Sequence, residues 1–236
     1  MRNSKIGTLV RSALAVALLV GTQWAAAEVV AGTHVKFTNG VGANPGGAFN
    51  GLVVSGGSGA LNNSFESFCL EFKEYLEFGK EYEVRSVTNH TVNLLGTYAT
   101  TQDPISASTA WLFTQFSKTA LSNSMWGTTD LAKRNTAVQQ AIWAMEDESF
   151  GVMSSLAISY KNMANTAVSS GNWSGIGNVR VLNLFSKDST GWNTHAQDQI
   201  YMVSSVPEPE TYALMLAGLA LVGGIARRRR NKATSA

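Results

Sequence analysis

The sequence predicts a single α+β domain in which β-strands flank a helical insertion. Three observations support this class. Residues 29–87 are rich in glycine and alternate between apolar and polar side chains, as short strands and turns do. Residues 106–168 instead repeat apolar side chains at helical spacing. Two more strand-like segments follow, and the order strands, helices, strands is typical of an α+β domain.

The strands that precede the helices are short, and loops dense in glycine and asparagine separate them. The segment 65–72 is the clearest of them, because it combines a high aromatic content with bounding turn residues. The expected strands are residues 35–37, 51–54, 65–72 and 81–87.

The insertion is expected to hold three helices. In the second, Val138, Ile142 and Met145 fall on one face, as in a helix that packs against a core. A glycine-bounded Asn-Trp-Ser segment then ends the helical part. The helices are placed at residues 106–121, 130–148 and 152–168, and the returning strands at residues 179–185 and 199–203.

Residues 1–27 have the three parts of a secretory signal peptide. Arg2, Lys5 and Arg11 form a basic beginning, and an apolar stretch too short to span a bilayer follows. Three consecutive alanines then supply the small side chains that signal peptidase requires. We therefore expect an exported chain that starts at Glu28.

Residues 206–236 form a tripartite tail. Prolines hold its beginning extended, and the apolar run 212–226 is shorter than the roughly 20 residues that comfortably span a bilayer. A basic cluster follows, which the positive-inside rule keeps in the cytoplasm. The proline motif is Pro207, Glu208 and Pro209, and the basic stop-transfer cluster is Arg227, Arg228, Arg229 and Arg230.

This tail closely resembles the PEP-CTERM sorting signal. The resemblance implies a transient inner-membrane intermediate that an exosortase recognises and cuts near the proline motif. It also implies transfer to the cell envelope, the cell surface or an extracellular biofilm matrix. As with other removable C-terminal signals, the mature protein would then keep no transmembrane helix. An ordinary C-terminal membrane anchor is the alternative.

The exported domain, residues 28–205, has a composition that excludes several functions. It contains ten basic and fourteen acidic residues, a net charge of about −4, without the basic stripe of a nucleic-acid-binding protein. No nucleophile elbow, phosphate-binding loop or dinucleotide fingerprint is present. We therefore expect neither an enzyme nor a cofactor. His34, His90 and His195 are scattered, so we expect no metal site and place all three in loops or on the surface.

Two acidic groups are expected to face solvent. Glu146, Asp147 and Glu148 stand at the end of a helix, and a cation site is the alternative. The second group is expected on the wet side of strands and turns, with a glycan-binding cleft as the alternative. Its members are Glu71, Glu74, Glu77, Glu81 and Glu83.

Cys69 is the single cysteine of an exported chain, so it cannot form an internal disulfide. One interpretation is a small buried hydrophobic residue, as free cysteines often are. The other is a reactive thiol that joins a glutamine side chain as a thioester. That bond is an activated acyl group, which a neighbouring amine can open to form an amide.

Residues 67–71 and 138–143 together resemble the thioester domains of bacterial surface adhesins, which pair a Phe/Tyr-Cys strand motif with a Gln-x-Ala-Ile-Trp helix motif. The resemblance implies that Cys69 and Gln139 form the thioester with loss of ammonia. Val138 replaces the threonine that the family usually has, and Gln140 is an alternative partner. The implied surroundings of the bond are Phe68, Ala141, Ile142 and Trp143.

Two classes of function follow from these motifs. In the first, the protein attaches covalently to surface amines through Cys69. In the second, it is a non-reactive structural or binding module of an exopolysaccharide matrix. A secreted hydrolase is a third class, which no residue arrangement in the sequence supports.

Overall fold

The computed structural model describes residues 28–42, 47–56, 64–92, 102–203, 215–219 and 222. The expected signal peptide, the Pro207–Pro209 motif and the Arg227–Arg230 cluster lie outside these residues. Within the described ranges, no helix has both the length and the apolar character needed to cross a membrane.

Within the described residues, the fold combines a large antiparallel sheet with several helices, and this mixture agrees with the predicted α+β class. The sheet has six strands in the order β3-β2-β1-β4-β7-β8, and β5 pairs with β6 in a separate hairpin. The strands are β1 (His34–Asn39), β2 (Phe49–Ser55), β3 (Ser64–Ser67), β4 (Glu81–Thr88), β5 (His90–Val92), β6 (Gln102–Pro104), β7 (Val179–Asp188) and β8 (Gly191–Met202). The helices are α1 (Ala107–Lys118), α2 (Leu131–Met145) and α3 (Ser155–Ser169).

The sheet closes on itself through the three residues that follow β3. The Leu70 N–H donates to the Asp198 carbonyl at 3.2 Å, and the Ile200 N–H donates to the Phe68 carbonyl at 3.0 Å. Between them, Cys69 forms an antiparallel bridge with Gln199. Because β3 also pairs with β2, one continuous segment joins the two outer strands of the sheet. Cys69 lies in that closing segment.

Each helix begins at a side chain that caps its free N–H groups. Ser106, Asp130 and Ser154 accept hydrogen bonds from the backbone N–H three residues later, at the starts of α1, α2 and α3 respectively. The Asp130 cap starts α2 in the register that directs Gln139 towards the closing segment. These caps lie within the predicted helical ranges, so the helix predictions were right in position and slightly long.

The closing segment separates two apolar clusters. Phe68 and Leu70 pack among the helices, whereas Cys69 packs among residues of the sheet such as Leu182 and Leu184. This alternation follows from the two-residue period of an extended chain. Trp143 is the α2 residue that reaches the sheet cluster, and it lies there with Cys69.

Two strand predictions differ from the structure. The strand predicted at residues 65–72 leaves its pairing with β2 after Ser67, because the chain crosses there to β8. The strand predicted at 199–203 begins at Gly191 instead. The residues before 199 are mostly polar, and the buried polar ones among them, Gln197 and Asp198, have hydrogen-bond partners remote in sequence. The β5–β6 hairpin was not predicted.

Candidate functional site

Cys69 and Gln139 are in direct contact in the interior. The Cys69 backbone N–H donates to Gln139 Oε1 at 3.1 Å, and the Cys69 thiol donates to the same oxygen at 3.2 Å. Gln139 Nε2 donates to the Cys69 carbonyl at 2.8 Å. The Gln139 side-chain amide therefore hydrogen-bonds to both backbone polar groups of Cys69, and its carbonyl group lies beside the Cys69 sulfur. The two residues expose 2% and 1% of their surface.

Gln140, the alternative partner, lies elsewhere. Its Oε1 accepts a hydrogen bond from the backbone N–H of Ser154 at 3.0 Å, in the loop that leads into α3. Neighbouring residues of a helix point in directions about 100° apart, so only one of two adjacent glutamines reaches the closing segment. The structure therefore pairs Cys69 with Gln139.

The remaining residues of the two motifs divide between the two clusters. Phe68, Ala141 and Ile142 pack on the helical side of the closing segment. Trp143 stacks edge-on against Phe72 at 4.9 Å between ring centroids. The indole N–H of Trp143 is buried and has no hydrogen-bond partner at normal distance. A ring cluster therefore covers the Cys69 side, and the Trp143 side chain interacts with the thiol.

A cleft of about 330 Å³ reaches Cys69 from the surface. Its aromatic walls are Phe49, Phe72, Tyr75, Phe78 and Trp143. Cys69, Leu76 and the polar residues Asn39, Glu74 and Gln197 line the rest. Tyr75 is 83% exposed, so its ring is open to a visiting molecule. The cleft gives a small or slender group a route to the thiol.

The thiol itself is held in its protonated form. Burial raises the pKa of Cys69 well above that of an ordinary thiol, and the charges of Glu71 and Glu148 add to this. The Cys69 backbone N–H and Trp143 act on the pKa in the opposite direction. Since the thiolate is the nucleophilic form, the raised pKa lowers the reactivity of the free thiol at neutral pH.

A second polar cluster lies beside the cleft and was not predicted. His195 Nδ1 is 3.0 Å from Glu74 Oε2, and His195 Nε2 is 3.2 Å from Asp198 Oδ1. Glu71 Oε2 accepts from the Asp198 backbone N–H at 3.1 Å. The predictions that placed His195, Glu71 and Glu74 at the surface were therefore wrong. Glu71 and Glu74 are more than 100 positions from His195 and Asp198, so no local spacing in the sequence indicates the cluster.

The buried cluster holds its protons tightly. Burial, together with the charges of Asp198 and Glu74, raises the pKa of Glu71 to about 9. Burial alone lowers the pKa of His195, but its hydrogen bonds to Asp198 and Glu74 outweigh this and raise it to about 10. Burial also raises the pKa of Asp198. At neutral pH, His195 is therefore an imidazolium and Glu71 is a neutral acid.

The acidic group at the end of α2 was also predicted wrongly in part. Glu146 Oε1 accepts from the Ser106 N–H at 3.1 Å and from its hydroxyl at 2.9 Å, which ties α1 to α2. Glu148 Oε2 accepts from the Phe72 N–H at 3.1 Å. Asp147 is exposed, as expected. In the described part of the chain, no group of three or more His, Cys, Asp or Glu side chains is arranged to hold a metal ion.

Comparison with known proteins identifies the tail. Residues 205–230 match a family model described as the PEP-CTERM protein-sorting motif. No curated protein and no solved structure matches the chain, so the resemblance to adhesin thioester domains gains no support from relatives. The chain carries a PEP-CTERM sorting motif, which marks it as an exosortase-processed protein of the cell envelope or extracellular surface.

Proposed function

We propose that the exported domain is a surface adhesin that attaches covalently to amines through an internal thioester between Cys69 and Gln139. The observation that carries the proposal is the buried contact in which the thiol lies 3.2 Å from the Gln139 carbonyl oxygen. A lone thiol held against a glutamine amide is the pair of groups from which such a bond forms.

The contact favours the chemistry of bond formation. The sulfur adds to the acyl carbon of Gln139, and the carbonyl oxygen then carries the developing negative charge. The Cys69 N–H already donates to that oxygen at 3.1 Å, as the donors of an oxyanion hole do. The C–N bond then breaks, the thiol proton ends on Nε2, and ammonia leaves.

The surroundings protect the proposed thioester until an amine reaches it. Burial beside Trp143 keeps water from the acyl carbon, and the cleft admits a nucleophile. Attack by an amine forms a stable amide at residue 139 and releases Cys69 as a thiol. Each molecule reacts once, so the protein is an adhesive reagent and not an enzyme.

A non-reactive structural or binding module of an extracellular polysaccharide matrix is the second candidate. Its supporting observation is that Gln139 hydrogen-bonds to both the N–H and the carbonyl of Cys69, as a side chain with a purely structural role does. The raised pKa of the thiol agrees with this candidate as well.

The export route that we propose has three steps. Signal peptidase removes residues 1–27, and the apolar run 212–226 holds the chain in the inner membrane for a time. Exosortase then cuts near Pro207–Pro209 and releases the domain to the surface, where matrix polysaccharide or surface amines are its partners. The matched sorting motif supports the exosortase step.

The intact mass of the processed, exported protein separates the two candidates. The thioester requires a mass lower than that of the sequence by one ammonia, a thiol that resists alkylation, and a methylamine adduct on Gln139. Cys69→Ala and Gln139→Ala should each abolish the deficit, and Gln140→Ala is the matched control that should keep it. Full mass with a freely titrating thiol in fresh protein would leave the structural module as the function.

A further inference from the structure

The buried acid cluster has no part in forming the thioester, although it lies next to the cleft. Glu74 and Asp198 contact the single imidazole of His195, and Glu71 lies beside them, where it accepts a hydrogen bond from the Asp198 N–H. Burying ionisable groups is costly unless each is paired. The cluster contains more acid than base, so one acidic group has no cation of its own.

Glu74 is the member of the cluster that lines the cleft with Cys69. It is 6% exposed, and its Oε1 has no hydrogen-bond donor. Its Oε2 is 3.0 Å from His195, which Asp198 holds on the other side at 3.2 Å. The carboxylate is therefore held by its ion pair with His195, and neither of its oxygens accepts a hydrogen bond of normal geometry from the described residues.

An unpaired carboxylate oxygen beside a cleft suits a ligand that donates hydrogen bonds and carries positive charge. The aromatic walls suit an apolar stem, and their faces attract cations. An ammonium group on a hydrocarbon stem has both properties. A simple amine is largely an ammonium at neutral pH, so it must lose a proton before its lone pair can attack a thioester.

We propose that Glu74, positioned by His195 and Asp198, receives the amine in this cleft and accepts its proton. The proposal rests on the proposed function, since it names the residue that prepares the nucleophile for the thioester. Glu74 is the catalytic residue in this scheme because it touches the amine. His195 and Asp198 are positioning residues.

Aminolysis at residue 139 removes two protons from the entering ammonium. The entering ammonium gives one proton to Glu74, which frees the nitrogen lone pair. The nitrogen forms a bond to the acyl carbon of residue 139, and the carbon–sulfur bond breaks with its electrons on sulfur. The second nitrogen proton ends on that sulfur and leaves Cys69 as a thiol, while Glu74 passes its proton to solvent.

The test compares two nucleophiles on the processed protein at neutral pH. Butylamine arrives as an ammonium and needs a proton acceptor, whereas hydroxylamine is uncharged there and does not. Glu74→Gln keeps the shape of the side chain and removes its basicity. We expect it to slow butylamine addition roughly 100-fold, the range for a lost general base, and to leave hydroxylamine addition unchanged. Intact mass against time measures both rates.

Glu77→Gln is the matched control, because Glu77 lies on the same loop with its side chain 77% exposed. It should leave both rates unchanged. Equal slowing of both nucleophiles by Glu74→Gln would show a structural role for Glu74, and an unchanged butylamine rate would also overturn the proposal. If Glu74→Gln fails to fold, Glu74→Asp is the second variant, because it keeps the negative charge on a side chain that is shorter by one methylene. Selective slowing of butylamine addition is again the expected result.

A binding experiment separates failure of this proposal from failure of the thioester. Cys69→Ala cannot form the bond, yet it retains the cleft. Butylammonium chloride added to this variant should shift the NMR signals of the Trp143 indole and of Glu74 in a saturable way. The same titration of Cys69→Ala combined with Glu74→Gln should show no such shift. A full-sequence mass would disprove the thioester alone, whereas the absence of saturable shifts would disprove the Glu74 site alone.

Discussion

At the scale of single residues, the Gln139 side chain hydrogen-bonds to the backbone of Cys69 as well as to its thiol. The Cys69 N–H and carbonyl lie where the chain passes from β3 to β8, and Gln139 bonds both of them. Buried backbone groups require such partners. The same contact serves both candidate functions, so stability and reactivity of this pair have to be measured separately.

The first prediction concerns the stability that this contact provides. In a Cys69→Ala background, where no thioester can form, Gln139→Ala leaves two buried backbone groups without partners. Each unsatisfied group costs ~1–3 kcal/mol, so we expect the free energy of unfolding to fall by about 3 kcal/mol. Urea denaturation of the two proteins measures the difference.

Gln140→Ala in the same background is the control. It removes one hydrogen bond to Ser154 at the surface, and we expect a loss below ~1 kcal/mol. Equal losses for the two glutamines would contradict the assignment of Gln139 as the partner of Cys69.

At the scale of elements, β8 shows why a polar strand can be internal. Its Gln197 donates to the carbonyls of Glu71 and Glu74 at 2.8 and 2.7 Å, which fastens the loop after Cys69 onto the strand. Asp198 meanwhile accepts from the Val92 N–H at 2.7 Å and so holds the end of β5. The apolar pattern that guides strand prediction is absent here because hydrogen bonds replace apolar contacts.

The second prediction concerns how the stability of the protein depends on pH through Glu71 and His195. The pKa of Glu71 rises from 4.5 to about 9 on folding, and that of His195 from 6.5 to about 10. Both groups bind protons more tightly in the folded state, so their contribution is full at low pH and is lost as pH rises. We expect the free energy of unfolding to fall between pH 4.5 and 10, as measured by denaturation across that range.

Glu71→Gln isolates the carboxyl contribution to this pH dependence. The amide oxygen can still accept from the Asp198 N–H, but the side chain no longer titrates. The decline in stability between pH 4.5 and about 9 should therefore become shallower. The exposed Glu77→Gln should leave the slope unchanged, and a Glu71→Gln slope equal to that of the parent would refute the assignment.

At the scale of the whole molecule, the sorting segment follows the exported domain almost directly in the sequence. The described domain ends with β8 at Met202, only a few residues before the sorting motif that begins the matched segment. Along the chain, only residues 203 and 204 separate the last strand of the domain from the matched segment. The closing segment that carries Cys69 pairs with β8, the last strand of the sheet before the matched sorting segment.

The third prediction concerns sorting. Replacing Pro207, Glu208 and Pro209 together with alanine removes the motif and leaves the apolar run and the arginines intact. We expect the protein to accumulate in the inner membrane instead of the extracellular fraction, which fractionation and immunoblotting measure. Alanine substitutions at Thr234 and Ser235, behind the arginines, are the control and should not alter sorting. Recovery of peptides from residues 214–230 in extracellular protein would contradict cleavage near the motif.

The sequence alone determined the tail, the fold class and the pair of motifs, because each of these is local. A sorting signal is read as a linear order of proline motif, apolar run and arginines, and helices follow from spacing and capping within a few residues. The adjacency of Cys69 and Gln139 was inferred from a resemblance between short motifs, and the structure places these two residues in contact.

The tertiary structure decided which polar side chains are buried and what they do. His195, Glu74, Glu71 and Asp198 look like surface residues along the chain, because charged side chains are rarely buried without a partner, and Glu71 and Glu74 have theirs more than 100 positions away. They become a buried cluster only when the segment after β3 crosses to β8 and closes the sheet. Burial of an ionisable group depends on partners brought from distant positions, and so its pKa and its role follow from the closed fold and not from its neighbours in sequence.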